Sequence, residues 1–460
     1  MNSITKITTS VLLLAATLSS CNLYKKFEMP TDQSVIASEY AKACAGETDT
    51  ISFGTTPWRE VFTEPALVNL IERALENNTN LKNAKSNIEI AQAQLQGAKL
   101  AYLPGLSLAP SIAGEKVGGS TMSWSYQVPL QVSWEIDIFG RLLNGKRKAQ
   151  AALLQSEDYR QAVQSQLIGA VARCFYTISN LESQVNLLKE TANNWKEYVA
   201  IMREFKNAGR VNESAVVHSN ANYLGALAAI PEAEAQLHEA NNTMSLLLNV
   251  LPQKWDVPAD ANLTLPEGLA TEIAISKLAN RPDVKAAEQK VALAFYAENQ
   301  ARANFYPGLN ITADGGFTNL IGGAVKNPVT WFVNLAGSLV APIFSRGVNI
   351  ANLKVAKQQQ KQAMNNFEYA VLNASAEVSN AMTMYNKLCL RSAYLAEQTE
   401  NYAKAVEYTT DLLRYDDSTS YIEVLLAREY LLGAQLSVLA CSLSKSESAV
   451  NLYQALGGGK

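Results

Sequence analysis

The chain has 460 residues, of which 48% are apolar, and its 39 basic and 42 acidic side chains give a formal charge of −3. This composition excludes a disordered chain, and the balanced charge removes the electrostatic case for binding nucleic acid, which needs a basic face. Apart from Cys21 there are four cysteines, none in a CxxC pair, and two histidines. We therefore expect no zinc site, no redox site and no cofactor.

The first 20 residues have the pattern of a secretion signal. An apolar run from Val11 to Leu18 follows Lys6, and it is far too short to span a bilayer, which takes about 20 residues. The run fits the hydrophobic region of a signal peptide covering residues 1–20. Leu18-Ser19-Ser20-Cys21 then fits the lipobox of bacterial lipoproteins, which predicts lipidation at Cys21. An ordinary signal peptide with an incidental cysteine is the alternative.

The chain repeats itself once. The stretch Ala98–Leu108 is echoed by Ala301–Ile311 at an offset of 203 residues (301 − 98). Ile138–Arg141 is echoed by Ile343–Arg346 at an offset of 205 residues (343 − 138). The sequence therefore predicts two copies of one unit, each with the order helix, two strands, helix, helix, as in architectures that repeat around a common centre.

Period-two alternation marks the strands. From Trp124 to Ile138 every even position is apolar, and the odd positions are Ser, Gln, Pro, Glu and Asp, so one face is apolar and the other polar. This predicts a strand at 124–138 that pairs with one at 106–116, and two equivalent strands at 309–319 and 330–342. Their length and the tryptophans near their ends fit a lipid-facing barrel with aromatic girdles.

Four strands cannot enclose a lumen by themselves. A membrane β-structure also tolerates no open edge, because its backbone groups find no water there. We therefore expect several chains to contribute four strands each to one barrel.

Two very long helices follow the strands. Residues 141–208 predict one helix, because no proline interrupts them and apolar residues alternate four and three apart. A 68-residue helix is roughly 100 Å long at about 1.5 Å per residue, which no compact globule accommodates. Breaks at 207–213 and 415–420 predict that each long helix turns back as a helical hairpin. The predicted seam positions are Cys174, Ile178, Leu181, Val185, Leu188, Ala192, Trp195, Val199 and Met202 in the first copy, and Val371, Ala374, Val378, Ala381, Tyr385, Leu388, Ser392, Leu395, Thr399, Tyr402, Val406, Thr409 and Leu413 in the second.

The motifs taken together resemble the outer membrane factor family, the TolC-like channels, and within it the lipoprotein branch that serves multidrug efflux pumps. The resemblance covers nearly the whole mature chain. The motifs that carry it are the lipobox at Cys21, Trp58-Arg59, Phe62-Thr63-Glu64-Pro65, Trp134-Glu135-Ile136-Asp137-Ile138-Phe139-Gly140-Arg141, Arg281-Pro282-Asp283-Val284 and Leu452-Tyr453-Gln454-Ala455-Leu456-Gly457.

The resemblance implies a mainly α fold with a membrane β-barrel part. In that fold a homotrimer closes one barrel in the cell outer membrane, lipid-anchored and continued by a periplasmic tube of coiled-coil helices. It implies a passive exit duct, not an enzyme, with a periplasmic adaptor protein, an inner-membrane transporter of the RND type and outer membrane lipid as partners. The implied division of the chain is 1–20 signal peptide, 21–63 lipid-anchored tether, 64–251 first repeat, 252–280 equatorial linker, 281–456 second repeat and 457–460 C-terminal tail.

The resemblance also implies a gate at the helical tips. Family members close the resting tube with carboxylates, and Glu423 falls on such a position, while Leu426 replaces a second acidic residue of some relatives. Asp416 and Asp417 would add negative charge near the mouth. Threefold symmetry would crowd these charges on one axis, which attracts cations. Gly209, Arg210, Ser418 and Thr419 occupy the tip turns and are candidate adaptor contacts.

Other interpretations of the same residues remain open. Asp416 and Asp417 also fit solvated turn residues, and Glu423 also fits an ordinary surface charge. The chain could be the exit channel of a type I protein-secretion system, or, in a different class, a lipid-anchored periplasmic coiled-coil scaffold. The alternating strands argue against the scaffold, and the absence of a clustered acid and base set argues against an enzyme.

Overall fold

The computed structural model describes residues 25–30, 34–45, 56–116, 118–119, 121–265, 278–320, 330–415 and 420–459. The predicted signal peptide, Cys21 and the tip residues Asp416, Asp417, Ser418 and Thr419 lie outside them. The helices are α1 (Val35–Ala45), α2 (Trp58–Val61), α3 (Pro65–Asn77), α4 (Thr79–Leu100), α5 (Arg141–Asn207), α6 (Glu213–Leu247), α7 (Pro282–Ala303), α8 (Val348–Tyr415) and α9 (Tyr421–Ala455). The strands are β1 (Gly105–Leu108), β2 (Ser111–Glu115), β3 (Ser123–Ile136), β4 (Gly308–Leu320) and β5 (Thr330–Val340).

The two longest helices are continuous over 67 residues in α5 and 68 residues in α8. Neither contains proline, so no backbone hydrogen bond is lost along their length. All nine predicted seam positions of α5 are buried. In α8, Val371, Ala374, Val378, Leu388 and Leu413 are buried, and the other predicted seam positions are half-buried within one chain.

The chain divides into two compact units. One unit contains residues 86–158 and 285–369, and therefore all five strands. The other contains residues 39–85, 159–284 and 370–460 and is built from helices in its described part.

The strands form one antiparallel sheet in the order β1–β3–β4–β5, with β2 also paired to β3. The prediction of a single strand at 106–116 is wrong: the structure has β1 and β2, separated by Ala109 and Pro110. Proline has no N–H to donate to the ladder, so pairing is interrupted there. Both pieces keep the same register on β3, with Leu108 opposite Leu130 and Ser111 opposite Gln127, and so they act as one interrupted strand.

Residues 453–459 are packed and hydrogen-bonded within the helical unit. Gly459 has φ +101°, and a Cβ atom there would lie 2.6 Å from the Cα atom of Ser165, so the tail fits only as glycine. The Gly459 N–H donates to the Tyr453 hydroxyl at 3.0 Å, and that hydroxyl donates to the carbonyl of Thr56 at 2.8 Å. Residues far apart in sequence are thereby fixed at one place.

Arg281 is the most heavily bonded buried cation of this unit in the part of the chain that the structure describes. Its side chain is 7% exposed and forms ion pairs with Asp283 at 2.7 Å and Glu377 at 2.6 Å. Its Nη1 atom also donates to the carbonyl of Ala455 at 2.9 Å. The arginine thus joins the start of α7 to α8 and to the end of α9.

We expect Arg281→Ala to lower the stability of the helical unit by about 2 kcal/mol, the order for hydrogen bonds to a charged group, because Asp283 and Glu377 are 49% and 47% exposed and water can solvate them once the arginine is removed. The stability of Arg281→Lys should lie between those of wild type and Arg281→Ala, because lysine keeps the positive charge but lacks the planar set of donors of arginine. The measurement is the thermal midpoint of the helical circular dichroism signal in detergent.

Lys404→Ala is the matched control, since it removes the exposed pair of Lys404 with Glu400 on α8. Exposed pairs contribute at most about 1 kcal/mol, so the control should unfold like wild type. Equal midpoints for Arg281→Ala and Lys404→Ala would contradict the role of Arg281.

Candidate channel wall and helical tip

The sheet has one continuous apolar face. Residues that face each other across antiparallel strands share a face, so the register assigns every side chain to one side. Across β3, β4 and β5 the rows on this face include Val128–Phe317–Trp331, Leu130–Gly315–Val333, Val132–Ala313–Leu335 and Ile136–Leu309–Leu339. Trp331, Val333 and Leu335 are 73%, 72% and 73% exposed. An apolar face this open within one chain is suited to lipid rather than to water.

The opposite face is polar. Its rows include Gln131–Asp314–Asn334, Ser133–Thr312–Ala336 and Glu135–Asn310–Ser338. The row Pro129–Gly316–Phe332 interrupts this face near the end where β4 leads into β5. A wall with polar side chains on one side and apolar side chains on the other is the arrangement of a channel wall in a membrane.

Among the described strands, β5 and the β1–β2 line each have one edge without a strand partner. The sheet is therefore open within one chain. Its N–H and C=O groups at both edges need partners from outside the described residues if the sheet lies in a membrane.

The strand-to-helix junction after β3 is fixed by charged and aromatic groups. Arg141 donates from Nε to Glu135 at 2.8 Å and from Nη2 to the second oxygen of the same carboxylate. The Leu143 N–H donates to Asp137 at 2.7 Å, which satisfies a free amide at the start of α5. Phe139 stacks on Tyr306 with ring centroids 5.0 Å apart. The motif from Trp134 to Arg141 thus sets where the chain leaves the sheet.

The first helical hairpin turns through a glycine cap. The Gly209 N–H donates to Lys206 and the Arg210 N–H to Phe205, both at 2.9 Å, and Gly209 has φ +73°. This is the hydrogen-bond pattern of a Schellman motif with glycine in the left-handed position. Asn212 then caps α6 by accepting from the Ala215 N–H at 3.2 Å. The turn therefore needs no external partner to hold its shape.

Arg210 links this turn to the second hairpin. Its guanidinium donates to the carbonyls of Arg414 and Leu413, both at 3.2 Å, at the carboxyl end of α8. These carbonyls have no partner within the helix, and a cation there also complements the helix dipole. An apolar cluster lies next to it, formed by Ala192, Trp195, Tyr198, Met202, Ala215, Val216, Ala226, Leu413, Val424 and Leu425. The ends of both hairpins are thus joined within one chain.

A family model described as outer membrane efflux protein matches residues 70–250 and 275–458 of this chain. The chain belongs to the outer membrane efflux protein family. It is 28% identical over 462 residues to the probable outer membrane lipoprotein SilC of Salmonella typhimurium, covering 98% of this chain and 97% of that protein. It is also 28% identical to the cation efflux system protein CusC of Escherichia coli O157:H7, covering 97% of each.

Solved structures agree with this membership. A crystal structure of CusC matches with a TM-score of 0.80 and 26% identity, covering 88% of this chain and 96% of that one. The open state of the Neisseria gonorrhoeae MtrE outer membrane channel matches with a TM-score of 0.79 and 27% identity, covering 90% and 94%. The fold of long helices with a membrane sheet, the outer membrane location and the role in efflux are those of this family, whose members are channels.

The predicted tip residues of this efflux protein are only partly described. Glu423 lies exposed in the first turn of α9, where Ser420 caps the helix by accepting from the Ile422 N–H at 3.3 Å. Gly209 and Arg210 lie in the turn between α5 and α6. The structure brings Arg210 to α8, which sequence reasoning did not anticipate.

Sequence reasoning also missed a contact between a half-buried arginine and a buried tyrosine in the helical unit. The guanidinium of Arg428 lies 4.8 Å from the centre of the Tyr198 ring, so a cation–π contact joins α9 to α5. Burial lowers the pKa of Arg428 and raises the pKa of Tyr198 to about 12. The signal in the sequence is weak, because Arg428 is one of two adjacent charges in an otherwise apolar stretch of α9. In the described ranges no three His, Cys, Asp or Glu side chains lie close enough together to hold a metal ion.

Arg210→Ala should loosen the end of α8, because two carbonyls lose their donor. We expect a loss of about 1 kcal/mol, at the low end for bonds to a charged donor since the guanidinium is exposed. Hydrogen exchange followed by mass spectrometry should show faster exchange of the α8 amides next to Tyr415.

Arg203→Ala is the control, since Arg203 is an exposed arginine less than two turns from the end of α5, the helix that leads into the turn with Arg210. It should leave exchange at the end of α8 unchanged. The role of Arg210 is rejected if the two variants exchange alike.

Proposed function

We propose that three copies of this chain form the outer membrane exit duct of a tripartite efflux pump. The observation that carries the proposal is the open sheet with one polar and one apolar face. Copies that join edge to edge would satisfy the free strand edges, turn the apolar face to lipid and enclose a polar lumen. Catalysis has no place in this function, because cargo passes through unchanged.

The proposed partners act at the helical end. A periplasmic adaptor would contact the tip turns at Gly209, Arg210, Ser418 and Thr419, and an RND-type inner-membrane transporter would deliver the cargo. Membership of the efflux family supports such partners in general. The exposure of Gly209 and Arg210 supports a contact at the first turn.

We propose Glu423, Asp416 and Asp417 as the charges that close the periplasmic mouth. Glu423 is exposed within one chain, close to the tip cluster that holds Val424 and Leu425. Threefold symmetry would place three copies of each carboxylate around one axis, where they repel anions and concentrate cations.

Purified protein in a planar bilayer should give small, mostly closed, cation-preferring current steps. Glu423→Gln should raise the mean current and reduce the preference for cations, because three negative charges leave the mouth. A double Asp416→Asn, Asp417→Asn variant should act in the same direction.

Glu429→Gln is the control for this measurement, since Glu429 is exposed on the same helix six residues further on. It should conduct like wild type. If folded wild-type protein gives no current, the exit duct is contradicted and the scaffold interpretation is favoured. If Glu423→Gln conducts like wild type, only the gating role of Glu423 is contradicted.

The amino-terminal segment supports the proposed lipid anchor. The Phe27 N–H donates to the hydroxyl of Tyr296 at 3.0 Å, and the Phe27 ring lies 5.7 Å from that of Phe295. Arg147 donates to the carbonyl of Lys25 at 3.1 Å. Lys25 is four residues from Cys21, a span of at most about 14 Å when extended. Acyl chains on Cys21 would therefore enter the membrane close to the strand-bearing unit.

Cys21→Ser should abolish incorporation of radiolabelled fatty acid and reduce the amount of protein in the outer membrane fraction. The free energy of membrane insertion falls because each buried CH2 group contributes about 0.8 kcal/mol. Cys389→Ser, which changes a half-buried cysteine far from the signal, should label like wild type. Labelling of the Cys21→Ser protein would contradict the assignment.

A further inference from the structure

The internal duplication supplies a template for the contact between copies of the chain. Within one chain, β3 of the first repeat pairs with β4 of the second, so that Trp134 lies opposite Ile311. Just beyond the sheet, Phe139 of the first repeat stacks on Tyr306 of the second. One repeat thus joins the next through a strand pair and an aromatic contact at the rim.

The equivalents of these two elements lie at the two edges of the sheet, where the outer side of each strand has no strand partner among the described residues. The offset of 205 residues maps β3 to β5 and Phe139 to Phe344. The offset of 203 residues maps β4 to the β1–β2 line and Tyr306 to Leu103. Both β5 and the β1–β2 line have a free edge within the described chain.

Exposure shows that these rim residues lack the cover that their equivalents have. Ile343 and Phe344 are 97% and 83% exposed, whereas Ile138 is 37% exposed and Phe139 is half-buried. On the receiving side, Leu100 is 52% exposed, whereas its equivalent Ala303 is 3% exposed. Leu103 is 61% exposed, against 38% for Tyr306.

We propose that β5 of one copy pairs with the β1–β2 line of the next in a single register, with Leu339 opposite Leu108, and that Phe344 packs on Leu103 of that next copy. The inference rests on the proposed function for the number of copies, and it adds which residues meet. It describes a head-to-tail contact that closes into a ring.

The register follows from the template. Within one chain Trp134 lies opposite Ile311, and adding 205 to the first number and subtracting 203 from the second gives Leu339 opposite Leu108. In the same way, the pair of Leu130 and Gly315 gives Leu335 opposite Ile112. All four of these residues already lie on the apolar face within their own chain. A shift by one residue would turn one strand's apolar side chains to the polar face, so the parity of the faces independently selects this register.

The strand directions are also compatible. β1, β3, β4 and β5 alternate in direction, so β5 and the next copy's β1 run antiparallel. The ring can therefore close with all neighbours antiparallel, as membrane barrels require.

The proposed contact differs from its template in charge. In the first repeat Arg141 pairs with Glu135, but the equivalent of Glu135 in the second repeat is Val340. The ion pair that fixes the first junction therefore has no counterpart beside Arg346. The contact between copies depends on apolar packing of Ile343 and Phe344, which suits a site at the membrane surface.

Paired cysteines in the intact protein in outer membranes test the register. A Leu339→Cys, Leu108→Cys variant should form disulfides between chains, because residues directly opposite on antiparallel strands have Cα atoms within bonding range. Oxidised, heat-denatured samples should run as species of two and three chains and return to one chain on reduction. A Phe344→Cys, Leu103→Cys variant tests the rim contact in the same way.

The duplication provides the controls. Trp134→Cys with Ile311→Cys, the equivalent pair inside one chain, should form a disulfide without changing the number of chains, and this shows that the sheet is folded. Leu339→Cys with Ser107→Cys, a register shifted by one residue, should give no species larger than one chain, as should each single variant.

Interchain disulfides from the shifted pair, or none from the Leu339 and Leu108 pair when the control pair forms, would overturn the proposal. If Phe344 and Leu103 fail to join while Leu339 and Leu108 join, lipid rather than a second copy covers the rim, and that half of the proposal is wrong. Cells that express each variant are also tested for dye efflux under reducing conditions, which separates these outcomes from the proposed function. A variant that cross-links when oxidised but exports no dye when reduced contradicts the efflux duct. A variant that exports dye but does not cross-link when oxidised contradicts the register.

Discussion

Unpaired backbone groups are costly in hydrocarbon, and this constraint governs the strand-bearing unit. The sheet presents an apolar face that suits lipid, yet both of its edges lack partners in the described chain. A soluble protein could leave such edges to water. Here the apolar side chains run out to both edge strands, so the edge N–H and C=O groups would lie in the hydrocarbon region with them. Further copies must pair with these edges before the polar face can line a lumen.

The helical unit answers a different physical problem. Helices of 67 and 68 residues gain little from propensity alone and are held by packing along their sides. The seam of α5 is buried throughout, which makes this helix a rigid support. At its far end the glycine cap, the carbonyl contacts of Arg210 and the apolar cluster hold both hairpins together. The positions of the candidate gate charges therefore depend on contacts within each chain as well as on symmetry.

Local patterns in the sequence predicted β3, β4, β5, the α5 seam and the turn at 207–213, because these depend on the spacing of side chains along one element. The division of the strand at Pro110 was missed, since the alternation of apolar residues continues across it and only the ladder is interrupted. Arg210 and Arg428 were missed as linking residues for another reason. Their partners, the α8 carbonyls and the Tyr198 ring, are on other helices, and no spacing rule brings residues 203 or more positions apart to one point.

The two repeats differ at the rim of the sheet and along their long helices. In the first repeat an ion pair fixes the rim, a glycine cap closes the tip and the long helix is buried along its seam. In the second repeat Val340 replaces the rim carboxylate, and much of the seam of α8 is half-buried within one chain. The described part of α8 is thus less completely buried within one chain than α5. In the proposed duct, displacement of the hairpin that carries Glu423 would therefore cost less free energy than displacement of the first hairpin, which would serve as the fixed side of the proposed gate.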